Sequence, residues 1–235
     1  MKLLQLLALT LVSCVLAQTT VPSPPQPCYI SKTLTSEVYQ AFLYDGSYEI
    51  NTGTLYLDIP SKLLRFDVVA GVEDFGGLEV AYSLSIFQNY NTGTYYIYDQ
   101  SDKTCSSFPL TAPLGSGELP SDSIYAGQIL IGSQAIQEYV FNQSSGTTQF
   151  TIEAGVTAGS CLIYNLDIYN TTTSGQPDLL MTEAFWNFVP SVSPFIFDPP
   201  SACTNNLMHF SFFSEEIRKK ANIAMYALDL HNSAF

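Results

Sequence analysis

The amino-acid sequence predicts an antiparallel all-β domain, and three observations carry that reading. Short segments rich in Tyr, Val, Ile, Leu, Phe and Thr recur from residue 28 onwards, separated by Gly, Asn, Asp and Ser. Several of them alternate apolar and polar side chains with the period of two that a strand with one buried face requires. Four cysteines, Cys28, Cys105, Cys161 and Cys203, follow an N-terminal apolar run, an even set that suits two disulfides in an oxidising compartment.

Residues 1–17, MKLLQLLALTLVSCVLA, combine one lysine, an apolar run and the small residues Val15 and Ala17. They read as a signal peptide, with the mature chain starting near Gln18. The competing pattern is a lipobox at Leu11-Val12-Ser13-Cys14, in which Cys14 is lipidated and kept. The sequons Asn142-Gln143-Ser144 and Asn170-Thr171-Thr172 favour the signal peptide and a glycoprotein of the extracellular space or the lysosomal lumen. The apolar run is short for a bilayer, and no later stretch approaches the roughly 20 apolar residues of a transmembrane helix. Residues 18–27 hold four prolines and read as an extended leader, because proline lacks the amide donor a helix needs.

The domain proper spans 28–203. Leu55, Leu57 and Ile59 alternate with Thr54, Tyr56 and Asp58, and Leu64, Phe66 and Val68 with Arg65 and Asp67. Val80, Tyr82, Leu84 and Ile86 alternate with Ala81, Ser83 and Ser85. Leu162, Tyr164, Leu166 and Ile168 alternate with Ile163, Asn165 and Asp167. In each series the first-named set shares one face. Asp45-Gly46, Asn51-Thr52-Gly53, Asn91-Thr92-Gly93 and Ser145-Gly146 carry the residues that tight turns use. Residues 95–110, YYIYDQSDKTCSSFPL, read as a tyrosine-rich strand, a polar turn from Asp99 to Lys103, and a cysteine that ties the sheet to a distant segment. Residues 111–123, TAPLGSGELPSDS, form a polar loop that divides the strand series without being a domain linker. A second loop at 171–177 precedes the bulky strand of Phe185, Trp186, Phe188 and Val189. The domain closes at Phe195-Ile196-Phe197-Asp198-Pro199-Pro200-Ser201-Ala202-Cys203, where two prolines predict a stiff extended segment. In the extension 204–235, Ser214 can cap a helix that carries Ile217, Ala221, Ala224, Met225 and Leu228 on one face.

Charge and residue types narrow the function. Eight basic residues against 21 acidic ones, a net charge of −13, repel a phosphate backbone, so no nucleic-acid partner is expected. The two histidines, His209 and His231, lie beyond Cys203, which leaves the domain without the base of a serine triad or a zinc-ligand set. Glu49 with Asp58, and Asp99 with Asp102, are the carboxylate pairs to weigh for glycoside hydrolysis, but nothing in their spacing favours two catalytic carboxyls. No enzyme activity and no organic cofactor are expected. Calcium is the cation the turns suit, with Asp99 and Asp102 as candidate ligands and Glu73-Asp74 in a further turn, because carboxylates and carbonyls in turns can converge on a hard cation. The alternating apolar sets either fill a core or line a pocket for a hydrophobic small molecule or lipid.

The order of motifs adds a resemblance. Tyr44-Asp45-Gly46, the stretch 95–110, Ser121-Asp122-Ser123-Ile124-Tyr125, IGS at 131–133, a lone Cys161 after a strand and FIFDPPSAC at 195–203 together resemble the ependymin-related proteins. The resemblance covers roughly Cys28 to Cys203. It implies two antiparallel sheets curved into a half-open barrel around a deep apolar pocket, similar to bacterial lipoprotein carriers. It further implies a secreted glycoprotein with disulfides Cys28–Cys161 and Cys105–Cys203, homodimers, calcium binding, cell–matrix adhesion and a lipid-like ligand. Members of that family usually end close to the last cysteine, so the extension 204–235 departs from the pattern. The expected function is a secreted binder of a hydrophobic ligand; the alternative is a calcium-dependent adhesion protein acting on extracellular matrix.

Overall fold

The computed structural model describes residues 32–44, 47–74, 77–110, 114–115, 118–145, 148–171 and 178–205. Eleven strands occupy them: β1 (Thr33–Tyr44), β2 (Ser47–Asp58), β3 (Leu63–Asp74), β4 (Gly77–Asn89), β5 (Thr94–Asp99), β6 (Thr104–Pro109), β7 (Ile124–Ile131), β8 (Gln134–Ser145), β9 (Thr148–Thr157), β10 (Ile163–Asn170) and β11 (Asp178–Val189). A 3₁₀ turn (Pro194–Phe197) and a short helix, α1 (Ser201–Asn205), follow.

The strands form one antiparallel sheet in the order β6-β5-β4-β3-β2-β1-β11-β10-β9-β8-β7. The chain therefore starts in the middle, walks out by hairpins to β6, crosses to the far edge at β7, and walks back until β11 pairs with β1. Neither edge strand pairs with the other, so the sheet is open. The two expected sheets are thus one sheet, with the β1–β11 ladder joining its halves. The crossing segment between the edges does more than an exposed polar loop would: Leu119 is buried in the core and Leu114 packs against it.

Ladder partners lie side by side and point to the same face of a sheet. Leu55, Phe66, Ile86 and Ile97 make one such row across β2 to β5, and all are buried. Tyr139, Phe141, Ile152, Ala154, Leu166, Ile168 and Met181 from the other half belong to the same buried cluster. Burying one apolar face of so wide a sheet requires it to curl until its halves meet, which the inherent strand twist assists. Asp67, Ser85, Tyr98 and Cys105 form the neighbouring row on the opposite, outer face.

Three local expectations are corrected. Asn51-Thr52-Gly53 is no turn but the middle of β2. Gly53 is needed there because a Cβ would stand 2.0 Å from the Asp67 carbonyl oxygen of β3, and Asn51 is fully buried. The similar Asn91-Thr92-Gly93 does turn, with Gly93 at φ 64° and the Asn89 side-chain oxygen accepting the amides of Asn91 and Thr92. In β10 the expected alternation breaks at a register shift between Ile163 and Asn165. Ile163 is buried while Leu162 and Tyr164 are only half-buried, so of that set only Leu166 and Ile168 lie fully in the core. Finally, the stretch closing at Cys203 is not extended throughout: Pro194 opens the 3₁₀ turn, and Cys203 sits in α1. Residues 1–31, the turns at 45–46 and 146–147, the loop at 172–177 and the tail 206–235 with its expected helix lie outside the described residues.

Candidate functional site

The inner face is largely apolar, and its central row carries three buried polar side chains side by side. Glu183 of β11 pairs with Gln40 of β1, which pairs with Asn51 of β2. The row continues through Leu166, Ala154 and Tyr139 on one side and through Ala70 and Tyr82 on the other. Gln40, Asn51 and Glu183 are 1, 0 and 2 % exposed, at the centre of the sheet and far from both edges. Gln40 donates from Nε2 to Glu183 Oε1 at 2.6 Å and accepts at Oε1 from Asn51 Nδ2 at 3.3 Å. Asn51 Oδ1 accepts no hydrogen bond. Glu49, also buried, lies two residues from Asn51 on the same face of β2. Burial, and then the Glu49 charge, push the Tyr82 phenol well above the ordinary tyrosine range, so it stays neutral.

Sequence reading missed this row because Gln40 and Glu183 look like ordinary polar strand residues and Asn51 reads as part of a turn. The signal was phase. In β1 Leu34, Val38 and Phe42 point inward, and Gln40 falls on the same parity; in β11 Glu183 sits between inward Met181 and Phe185.

Of the nominated apolar residues, Leu55, Leu57, Phe66, Val68, Tyr82, Leu84, Ile86, Leu166 and Ile168 lie together in the inner cluster. The Val80 side chain falls outside the described set. Glu49 and Asp58 stand at opposite ends of β2. Nine residues at about 3.4 Å each put them roughly 30 Å apart, far beyond the roughly 5–10 Å of a glycosidase pair.

Asp99 is buried at the end of β5, where its Oδ1 accepts the backbone amides of Ser101 and Asp102, while Asp102 itself is exposed. Asp99 thereby builds the turn that leads to Cys105. Among the described residues no three His, Cys, Asp or Glu side chains stand close enough together to hold a metal ion. Asn142 is exposed on β8, with its Oδ1 accepting from Thr151 Oγ1 at 2.8 Å, and Asn170 ends β10 half-buried.

The outer face carries the C-terminal segment. Cys105 of β6 and Cys203 of α1 form a disulfide with Cα atoms 5.0 Å apart, 98 residues distant in sequence. On the chain-entropy account, closing a loop of that size stabilises the fold by up to about 4.7 kcal/mol. Cys161 is also disulfide-bonded, and its expected partner Cys28 lies outside the described residues. Arg65 fixes the start of the same segment. Its Nε and Nη2 grip both oxygens of Asp67 at 2.8 Å, and Nη1 donates to the Ile196 carbonyl at 2.8 Å. Its guanidinium lies 4.8 Å from the Phe87 ring centroid and 5.6 Å from that of Tyr56. Beside this clamp, a polar cleft of about 410 Å³ opens between Gln100, Lys103, Asp198 and Pro200. With Arg65 committed to its partners, the cleft reads as the seam where the segment docks.

A family model described as Ependymin matches residues 79–203, from β4 to the second cysteine of the disulfide. Among solved structures, the chain is similar to a DUF1329 family protein from Desulfovibrio piger ATCC 29098. That likeness has 9% sequence identity and a TM-score of 0.34, covering 72% of this chain and 90% of that one.

Proposed function

The chain belongs to the ependymin family, and from that premise we propose that it is a secreted, non-catalytic carrier holding a lipid-like ligand against its concave face. The observation that carries the reading is the open sheet. Strands β1–β5 and β8–β11 turn buried apolar side chains inward from both halves, yet the edge strands β6 and β7 do not pair with each other. Full closure is the usual way for so large a curled sheet to remove its edges. In this reading the gap between the two edges, beside the crossing segment, serves as the entrance by which an alkyl chain reaches the Leu, Ile, Val and Phe wall. Such a wall favours alkyl groups by about 25 cal/mol per Å² removed from water, and a few buried polar groups can orient what enters. Secretion, with glycans on Asn142 and Asn170, is part of the same proposal, and exposure of Asn142 supports it.

The test is mass spectrometry of lipids extracted from the purified secreted chain, with titration of a fluorescent long-chain lipid probe. A defined lipid class retained near one per chain is expected. Protein that carries no lipid and takes up no probe ends the carrier reading. Repeating the titration in calcium and in EDTA separates it from calcium-dependent adhesion, since carrier binding is expected to ignore calcium.

A further inference from the structure

We propose that the row Glu183–Gln40–Asn51 is the head-group subsite of the carrier's ligand, selecting amphiphiles whose head donates hydrogen bonds over those with a carboxylate head. The inference rests on the carrier reading and specifies which end of the ligand the protein reads.

The polarity of the row follows from its carboxylate. Glu183 offers acceptors, so the Gln40 amide must present Nε2 to it, at 2.6 Å. Gln40 Oε1 is then the group left to face Asn51, and it accepts from Asn51 Nδ2. Each amide orientation is set by the one before it, and the chain ends on Asn51 Oδ1. That oxygen belongs to a fully buried side chain and has no donor. A buried acceptor without a donor is unfavourable, and a hydroxyl or ammonium group supplies what is missing.

Charge points the same way. The inner face carries two buried acids near this oxygen, Glu183 and Glu49. The basic side chains among the described residues are elsewhere: Lys32, Lys62 and Lys103 are exposed, and Arg65 is engaged with Asp67 on the outer face. A fatty-acid carboxylate entering head-first would bring only lone pairs to a row that ends on an acceptor, whereas a hydroxyl or ammonium group donates to it. A long-chain alcohol satisfies the oxygen, and a long-chain amine adds attraction to the acids.

The experiment uses the full secreted chain, stripped of lipid, and four ligands of one chain length: an alkane, a fatty alcohol, an alkylamine and a fatty acid. Displacement of the fluorescent probe at neutral pH ranks them. The alcohol and amine should bind about tenfold or more tighter than the fatty acid, about 1.4 kcal/mol per decade. An amine tighter than the alcohol assigns the extra affinity to the carboxylates; equal affinities assign the preference to Asn51 alone. Asn51→Leu should erase the preference of alcohol and amine over the fatty acid. Glu183→Gln, which can still accept from Gln40, should weaken the amine alone, and it serves if Asn51→Leu does not fold. A fatty acid bound as tightly as the alcohol overturns the inference while the carrier reading stands. Failure of all four to displace the probe ends both.

Discussion

Arg65 offers the sharpest test of how the C-terminal segment is held. Its side chain is 19% exposed and that of Asp67 24%, so the pair is neither a free surface bridge nor fully desolvated. Arg65→Met keeps the aliphatic stem between Tyr56 and Phe87 but removes two bonds to Asp67 and the one to the Ile196 carbonyl. Charge-assisted bonds are worth about 1.5–3 kcal/mol each when solvent is excluded, and partial exposure brings these nearer 1 kcal/mol. Three of them, with about 0.5 kcal/mol for the ring contact, give a loss of about 3.5 kcal/mol. At a urea dependence of about 2 kcal/mol per molar, the midpoint falls by roughly 1.7 M. Arg65→Lys retains the charge but not the two-pronged grip, so about half of that loss is expected. Urea titration of the disulfide-intact protein, followed by circular dichroism, measures both. An Arg65→Met midpoint within about 0.3 M of the parent, under 1 kcal/mol at that slope, would refute the clamp. It would leave the disulfide as what holds the segment.

Four further outcomes follow from other parts of the sheet. Gly53→Ala should cost at least about 3 kcal/mol, because its Cβ meets a backbone carbonyl, as thermal melts would show. Gly155→Ala meets the Asn165 side chain instead, so the double change with Asn165→Ala should recover part of its loss. Asp99→Ala should destabilise by about 1–2 kcal/mol through the two turn amides it leaves without an acceptor; the same loss in calcium and in EDTA would mark a turn-building role, and a loss seen only in calcium would contradict it. For Glu138, burial, then Asp167 and Glu153, raise the carboxyl above its ordinary 4.5. The folded form therefore holds the proton more tightly than the unfolded one, and stability declines as pH rises from 4.5 through the raised value. Glu138→Gln should flatten that decline and match the parent near pH 4, where both forms of the parent are protonated; a steeper decline in the variant would contradict the assignment.

Much of the fold was legible because strand alternation is a local property. Leu55, Leu57, Leu64, Phe66, Leu84 and Ile86 declare the inner face of β2 to β4 through period alone, and Asn91-Thr92-Gly93 declares its turn. The same logic failed where a non-local neighbour decided the matter. Asn51-Thr52-Gly53 has turn chemistry, yet the approach of β3 makes Gly53 a mid-strand residue. The register shift at Ile163 changes which side chains of β10 face inward, and no feature of that segment's composition announces it.

What the sequence by itself determined is the class of the molecule: an all-β chain with one apolar face per strand, a cysteine set suited to disulfides, and the motifs of its family. Tertiary structure decided the rest. The pairing of β1 with β11 is non-local, so only folding makes one open sheet of two hairpin series. That pairing also brings Gln40 against Glu183, 143 residues away, and so aligns the row that ends on Asn51. A strand's period says which residues share a face. Only the ladder to a distant strand says which of them meet.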